Sequence, residues 1–344
     1  MSIHKLENIF EEAGNKQDAL LAEDQWKRSI PAQVFLNHFL ALDFHIRHTD
    51  DRYALRDVKF FNQIKPQPLA DSDTLQRLLY NAWSTEYALR QTAQHGDKSY
   101  LKYALHWAFP QAFYSVFLSM QAYFSTAGIT DNNFDKLSRE FGKMVANGAY
   151  PRAISFYADG HYDNYHLHRM RPAKFKPGLF PPQHLAEAEA QIGQFLFTSR
   201  KMRLKEVRNR VQANPQQALR SPKTGNILQK FGRKDWEQLT WRAGYTTIID
   251  LLGRLRLSAG HHEIERFVHA DIDYTSFHES LCEIVYYLNF VHESYIAKAI
   301  GFKNYRALVE RLPNHLQNGF VYERMQKFIA PLFGPQAVPM AAAA

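Results

Sequence analysis

Apolar residues along this chain recur at spacings of three and four almost throughout, the period of a helix with one buried face. Strict alternation of apolar and polar positions is scarce. Hairpin signals of the Asn-Gly or Asp-Gly kind occur only at Asn147-Gly148, Asp159-Gly160 and Asn318-Gly319. The pattern therefore predicts an all-α, multi-helix bundle. Short helices are expected over 4–13 and 16–28. Pro31 suits the first turn of a helix over about 31–48, with Ser29 near its cap. Lys65-Pro-Gln-Pro68 interrupts the chain, and Asp71-Ser-Asp-Thr74 then caps a helix running to about Gln94.

From Ser99 to Gly128, the residues Leu101, Leu105, Ala108, Ala112, Val116, Met120 and Tyr123 form one stripe, in a segment that Pro110 must kink or divide. A helix follows over about 133–147, while 148–182 reads as loop, crowded with Tyr, His, Gly and Pro. Pro181-Pro182 opens a long helix to about Val211. Further helices are expected at about 235–257, 261–269, 274–299, 304–312 and 320–333; Phe277, Leu281, Ile284, Leu288, Val291 and Tyr295 keep the spacing in the third of these. No repeat period is present, which excludes a solenoid. The organisation expected is an N-terminal helical extension over 1–64, a helical bundle with a basic helix over 65–211, a linker or flexible loop over 212–234, C-terminal helices completing the bundle over 235–335, and a tail over 336–344. That tail, ending Pro339-Met-Ala-Ala-Ala-Ala344, reads as disordered or as a non-native addition.

Composition adds little until charge is considered. At 45% hydrophobic the chain has material for a real core, and its aromatics (14%) are expected mainly there. No run approaches the roughly 18 uncharged apolar residues of a membrane span, so no membrane partner is expected. The acidic, amphipathic start lacks the form of a signal peptide, and the single cysteine, Cys282, allows no internal disulfide and no thiolate cage. A cytoplasmic protein is the expectation. The net charge of +8 is concentrated: between Arg200 and Arg256 there are 14 Lys or Arg against 4 Asp or Glu. Such a segment favours a polyanion through phosphate neutralisation and counterion release; a solvated, solubilising helix face is the competing reading. Arg200, Lys201, Arg203, Lys205, Arg208 and Arg210, with Arg254, are the candidate nucleic-acid-binding residues.

Candidate chemistry centres on Gly253-Arg254-Leu255-Arg256-Leu257-Ser258-Ala259-Gly260-His261-His262, where a helix is expected to begin. RNA is cut without metal when its 2′-hydroxyl attacks the adjacent phosphate. His261 or His262 could move the proton, and Arg256 could hold the phosphoryl oxygens as negative charge builds. A helix start adds N–H groups and a positive dipole end. Arg–His pairs at this spacing number four in the chain, and roughly three are expected by chance, so the pair carries weight only with its context.

That context is Tyr103-Ala-Leu-His-Trp-Ala-Phe-Pro-Gln-Ala-Phe-Tyr-Ser-Val-Phe-Leu-Ser-Met-Gln-Ala-Tyr-Phe-Ser-Thr-Ala-Gly128, which resembles the aromatic-rich central helix of HEPN domains. In that family an Arg-x(4–6)-His motif opens a later helix, as Arg256–His261 does here. The resemblance spans about 72–300. It implies a helical bundle that dimerises across the motif face and, in many members, a ribonuclease of toxin–antitoxin or phage-defence systems. Leu257 departs from the pattern, because active members carry a polar residue directly after the arginine.

Other chemistry is weaker or excluded. His161-Tyr-Asp163-Asn-Tyr-His166-Leu-His168-Arg-Met-Arg171 mixes imidazole, ring and guanidinium groups; a polar loop, or stacking and phosphate contacts to single-stranded RNA, explains it better than a metal. No histidine has Glu three residues before it, which excludes the di-iron bundle pattern. There is no Gly-rich phosphate loop and no Gly-x-Ser-x-Gly elbow, so no cofactor and no metal are expected. The functional expectation is an RNA-binding protein, a metal-free endoribonuclease in its catalytic form and a homodimer. The alternative is a non-catalytic regulatory protein that binds nucleic acid or an acidic protein partner.

Overall fold

Helix α1, over residues 29–49, sets Phe35 and Phe39 into the middle of the molecule rather than onto an appendage. The computed structural model describes residues 27, 29–49, 54–68, 71–161, 164–170 and 178–334, without the side chains of 261–263. The helix expected over 4–13, all but residue 27 of that over 16–28, and the tail 336–344 lie outside these residues. Within them the fold is all-α apart from one two-stranded sheet. No helix among the described residues is long and apolar enough to cross a membrane.

The chain runs through α2 (Lys59–Gln63), α3 (Ser72–His95), α4 (Lys98–Tyr103), α5 (Leu105–Thr126) and α6 (Phe134–Ala146) to strands β1 (Tyr157–His161) and β2 (Asn164–His168). It continues with α7 (Leu185–Ala213), α8 (Arg233–Ala243), α9 (Ile248–Ser258) and α10 (His261–Val268). The last helices are α11 (Tyr274–Ile300), α12 (Phe302–Glu310) and α13 (Phe320–Arg324), the last prolonged by tighter and wider turns to Phe333. Local chemistry fixes several starts. Asp71 accepts from the Thr74 N–H at 2.9 Å, Asp97 from Tyr100 at 2.7 Å and Asn133 from Lys136 at 3.2 Å.

Three sequence expectations are corrected. Pro110 divides nothing: it lies inside α5, and the break falls earlier, at Ala104. A proline inside a helix costs about 3 kcal/mol, which burial of Phe109 and Phe113 beside it, at about 1.5–3 kcal/mol each, offsets. The helix expected over 235–257 is two helices, because Gly244 adopts φ +64 and Thr246 leaves to exchange two 2.9 Å backbone bonds with Ala158 of β1. The loop expected over 148–182 contains the β1–β2 hairpin, with Asp159-Gly160 in a strand rather than in the turn. In the stretch expected as a linker or flexible loop over 212–234, Gln212 donates to the Leu228 carbonyl (2.8 Å) and accepts from the Leu219 N–H (2.8 Å), joining both sides of a turn.

Helices α3 and α11 pack against α5, and α9 covers its other flank. Phe35 and Phe39 of α1 meet Phe195 of α7 edge-on, Phe35 reaches Phe109 of α5, and Phe39 reaches Phe277 of α11. One core cluster therefore includes Leu36 and Phe61 together with Leu288 and Met325, so the described part of the expected N-terminal extension is core.

Inside that core lies an ionic knot with no solvent exposure. Arg324 donates both to Glu86 (2.9 and 3.0 Å) and to Glu293 (2.7 Å). Arg90 and Asn289 complete Glu86, at 3.1 and 2.7 Å; Trp83 and Tyr305 complete Glu293, at 2.9 and 2.6 Å. Burial alone would push the Glu86 carboxyl up, but Arg324 and Arg90 hold it below its ordinary value. For Glu293, burial wins over Arg324 and its pKa is raised. Because one cation serves two buried carboxylates, Arg324→Met leaves both short of a partner. We expect it to lower unfolding stability by about 3–5 kcal/mol in urea titrations, and a loss below about 1 kcal/mol contradicts this role.

Buried histidines add a pH dependence. Burial lowers His38 to about 3, His45 to about 4 and His292 to about 3, each from 6.5. Between pH 6.5 and 4 the unfolded chain binds protons that the folded chain refuses, so stability is full above 6.5 and falls as pH drops through that window. The midpoint of thermal unfolding should decline steadily from pH 7 to pH 4.5; a flat profile contradicts the burial of neutral imidazoles.

Candidate nucleic-acid interface

A cleft of about 1810 Å³ opens between α6, the hairpin, α7, the 217–232 turn and α8. Seven Lys or Arg line it against four Asp or Glu. Helix α6 supplies one wall because its two faces differ: Leu137, Phe141 and Val145 are buried, while Lys136, Arg139 and Lys143 share the opposite side. Helix α8 supplies the other. Its first turn is fixed by Asp235, which accepts from the Gly232 N–H at 2.8 Å, and it carries Trp236, Trp241 and Arg242 to the cleft. Trp241 is 72% exposed, with the Arg242 guanidinium 5.5 Å from its ring.

The hairpin forms the third side. Its register pairs Asp159 with His166 and His161 with Asn164, so these four side chains share one face, while Ala158 and Leu167 turn toward α7. His166 Nδ1 lies 3.5 Å and His168 Nε2 3.3 Å from the same Asp159 oxygen. The His168 ring stacks on Tyr157, and the His161 ring sits 5.0 Å from that of Trp236. Among the described residues, no three or more His, Cys, Asp or Glu side chains are placed to hold a metal ion.

The basic run of α7 divides by orientation. Arg200 has no solvent exposure; it donates to the carbonyls of Gly160, Ala158 (3.2 Å) and Gly244 (3.0 Å), closing the seam between β1 and the end of α8. Burial lowers its pKa to about 10, with Asp159 opposing, so it stays charged at neutral pH. It still lines the cleft, and its Nη2 has no hydrogen-bond partner. Arg203 is likewise turned inward, to the Ala243 carbonyl (2.6 Å) and the Asp250 carboxylate. Arg208 donates to the Gln229 carbonyl at 2.5 Å and lies over the Phe231 ring. Lys201 is half-buried, Lys205 is exposed, and Arg210, also in the cleft, pairs with Asp135 at 2.7 Å. The expectation that these cations form one phosphate-facing side is corrected for Arg200 and Arg203, whose donors are committed mainly to the protein itself.

Arg254 and Arg256 diverge, two residues apart on a helix. Arg254 turns inward, stacked over Phe195 (4.7 Å) and donating to Thr198 (2.7 Å); burial lowers it to about 10. Arg256 is exposed at the end of α9, over Phe113 and Phe134, outside the cleft. His261 and His262 begin α10 after Gly260, and their side chains lie outside the described residues. The structure thus does not bring Arg256 to the basic cleft. Sequence reasoning passed over Lys136, Arg139 and Lys143; the amphipathic period of 134–146 with cations on its polar face was the available signal. No protein-family model matches this chain, and no curated protein or solved structure matches it either.

If Arg200 staples β1 to the end of α8, its removal takes a charged donor from the carbonyls of Gly160 and Gly244 and leaves that of Ala158 to the Thr246 N–H alone. Arg200→Met should cost about 2 kcal/mol or more and speed amide exchange in 157–168 before the rest of the fold; unchanged protection there contradicts the assignment.

Proposed function

We propose that this protein is a cytoplasmic RNA-binding protein whose cleft takes a single strand. The observation that carries this is the joint lining of the cleft, cations on α6 and α7 facing rings on α8. At about 1810 Å³ the cleft exceeds the roughly 300–1,000 Å³ of small-molecule pockets and suits a polymer. Several rim cations are already paired, Lys136 with Asp131 and Arg233 with Glu237, but exposed pairs of this kind are worth only about 0–1 kcal/mol and yield to phosphate. The ring of Trp241 stacks only on an unpaired base, which favours a single strand over a duplex.

The HEPN-like reading, with dimerisation and cutting at Arg256 and His261, keeps in its favour a helix start directly after Gly260. Against it stands Arg256, held over two phenyl rings away from the basic cleft. Binding without cutting at that pair is the better supported of the two.

Fluorescence anisotropy with a labelled oligoribonucleotide and its duplex, over rising salt, tests the proposal. The single strand should bind more tightly, with log affinity falling against log salt at a slope of about −3. Trp241→Ala should weaken it by about 5- to 100-fold, and Arg139→Ala should flatten the slope by about 0.7. Absent binding, or equal and salt-insensitive binding of the duplex, overturns it.

A further inference from the structure

The hairpin places a second feature in the cleft that phosphate binding alone does not require. His161 and His166 stand diagonally across β1 and β2 on the cleft-facing side, a relation that spans about 7–8 Å. That spacing of the two positions matches the reach of one phosphodiester. Asp159 lies directly across from His166, its oxygen 3.5 Å from Nδ1, which leaves Nε2 for a substrate. His166 is two-thirds exposed, so a strand in the cleft can reach it. Beside His161, the carbonyl of Gly160 accepts from the fully buried Arg200, which anchors this end of β1.

We propose that this hairpin is a metal-free RNA-cleaving site, with His166 as general base and His161 as general acid. It rests on the reading of the cleft as an RNA site. His166 Nε2 takes the proton of a ribose 2′-hydroxyl as that oxygen bonds to the adjacent phosphorus. The bond from phosphorus to the 5′-oxygen breaks, and His161 gives that oxygen a proton. The products are a 2′,3′-cyclic phosphate and a 5′-hydroxyl; no electron acceptor and no metal enters the balance. Histidine suits both roles because it ordinarily titrates near neutrality. Asp159 is a positioning residue: its carboxylate orients the His166 ring and stabilises the imidazolium that forms. Any strand lacking the 2′-hydroxyl is bound but left whole.

The test uses the full-length chain in EDTA with a labelled single-stranded oligoribonucleotide and its all-deoxy counterpart, measuring binding and cleavage separately. RNA should be cut to cyclic-phosphate and 5′-hydroxyl ends while the DNA is bound intact. His166→Ala and His161→Ala should each slow cleavage by about 10²- to 10⁴-fold with affinity nearly unchanged. Asp159→Asn should lower kcat and leave KM in place. RNA that is bound and never cut overturns this inference and leaves the binding reading standing; RNA that is not bound overturns both. Cleavage that survives His166→Ala and His161→Ala but is lost in an Arg256→Ala, His261→Ala variant moves the chemistry to α9 and α10 and overturns the assignment here.

Discussion

The fold depends on one guanidinium. Arg324, near the end of the described chain, reaches into the centre and joins Glu86 on α3 to Glu293 on α11, with Trp83, Asn289 and Tyr305 completing the carboxylates. Charges so deep are tolerable only where donors are set against each carboxylate, which permits few relative placements of the helices that carry them. Helices α3 and α11 are thereby fixed on α5, and α5 in turn supports α9. The same device recurs at the cleft: Arg200 and Arg203 cross from α7 to the hairpin, the end of α8 and Asp250 of α9. Buried arginines thus set the scaffold and then the cleft walls.

This arrangement changes the meaning of the positive charge. A surplus in the sequence between Arg200 and Arg256 suggests a phosphate-facing helix, yet part of it is internal. The cations facing solvent in the cleft are Arg210, Arg233 and Arg242 of that segment joined by Lys136, Arg139 and Lys143 of α6, an element distant in sequence. The electrostatic case for a polyanion survives because it belongs to the cleft as a whole rather than to one helix.

Much of the fold was legible in the sequence because helical periodicity and capping are local. Asp71 caps where its position indicates, and the stripe from Leu101 to Tyr123 is buried as its spacing requires. The hairpin was not legible: one face of it is Ala158, Gly160, Tyr165 and Leu167, too small and mixed for an alternation to show against its histidines. Nor was the place of α1, since Phe35 and Phe39 look alike in an appendage and in a core. The site was legible only as residue types. Asp159, His161 and His166 stood out as a cluster, but their sharing of one face follows from strand register, and the inward turn of Arg200 and Arg254 follows from packing that no short window contains.

The central claim is that the cleft walled by α6, the hairpin and α8 is where RNA lies. Photo-crosslinking of a bound 4-thiouridine strand, with the attached peptides mapped, addresses it directly. The account predicts attachment within 136–143, 157–168 and 231–245. Attachment confined to 254–268, around Arg256 and His261, contradicts it.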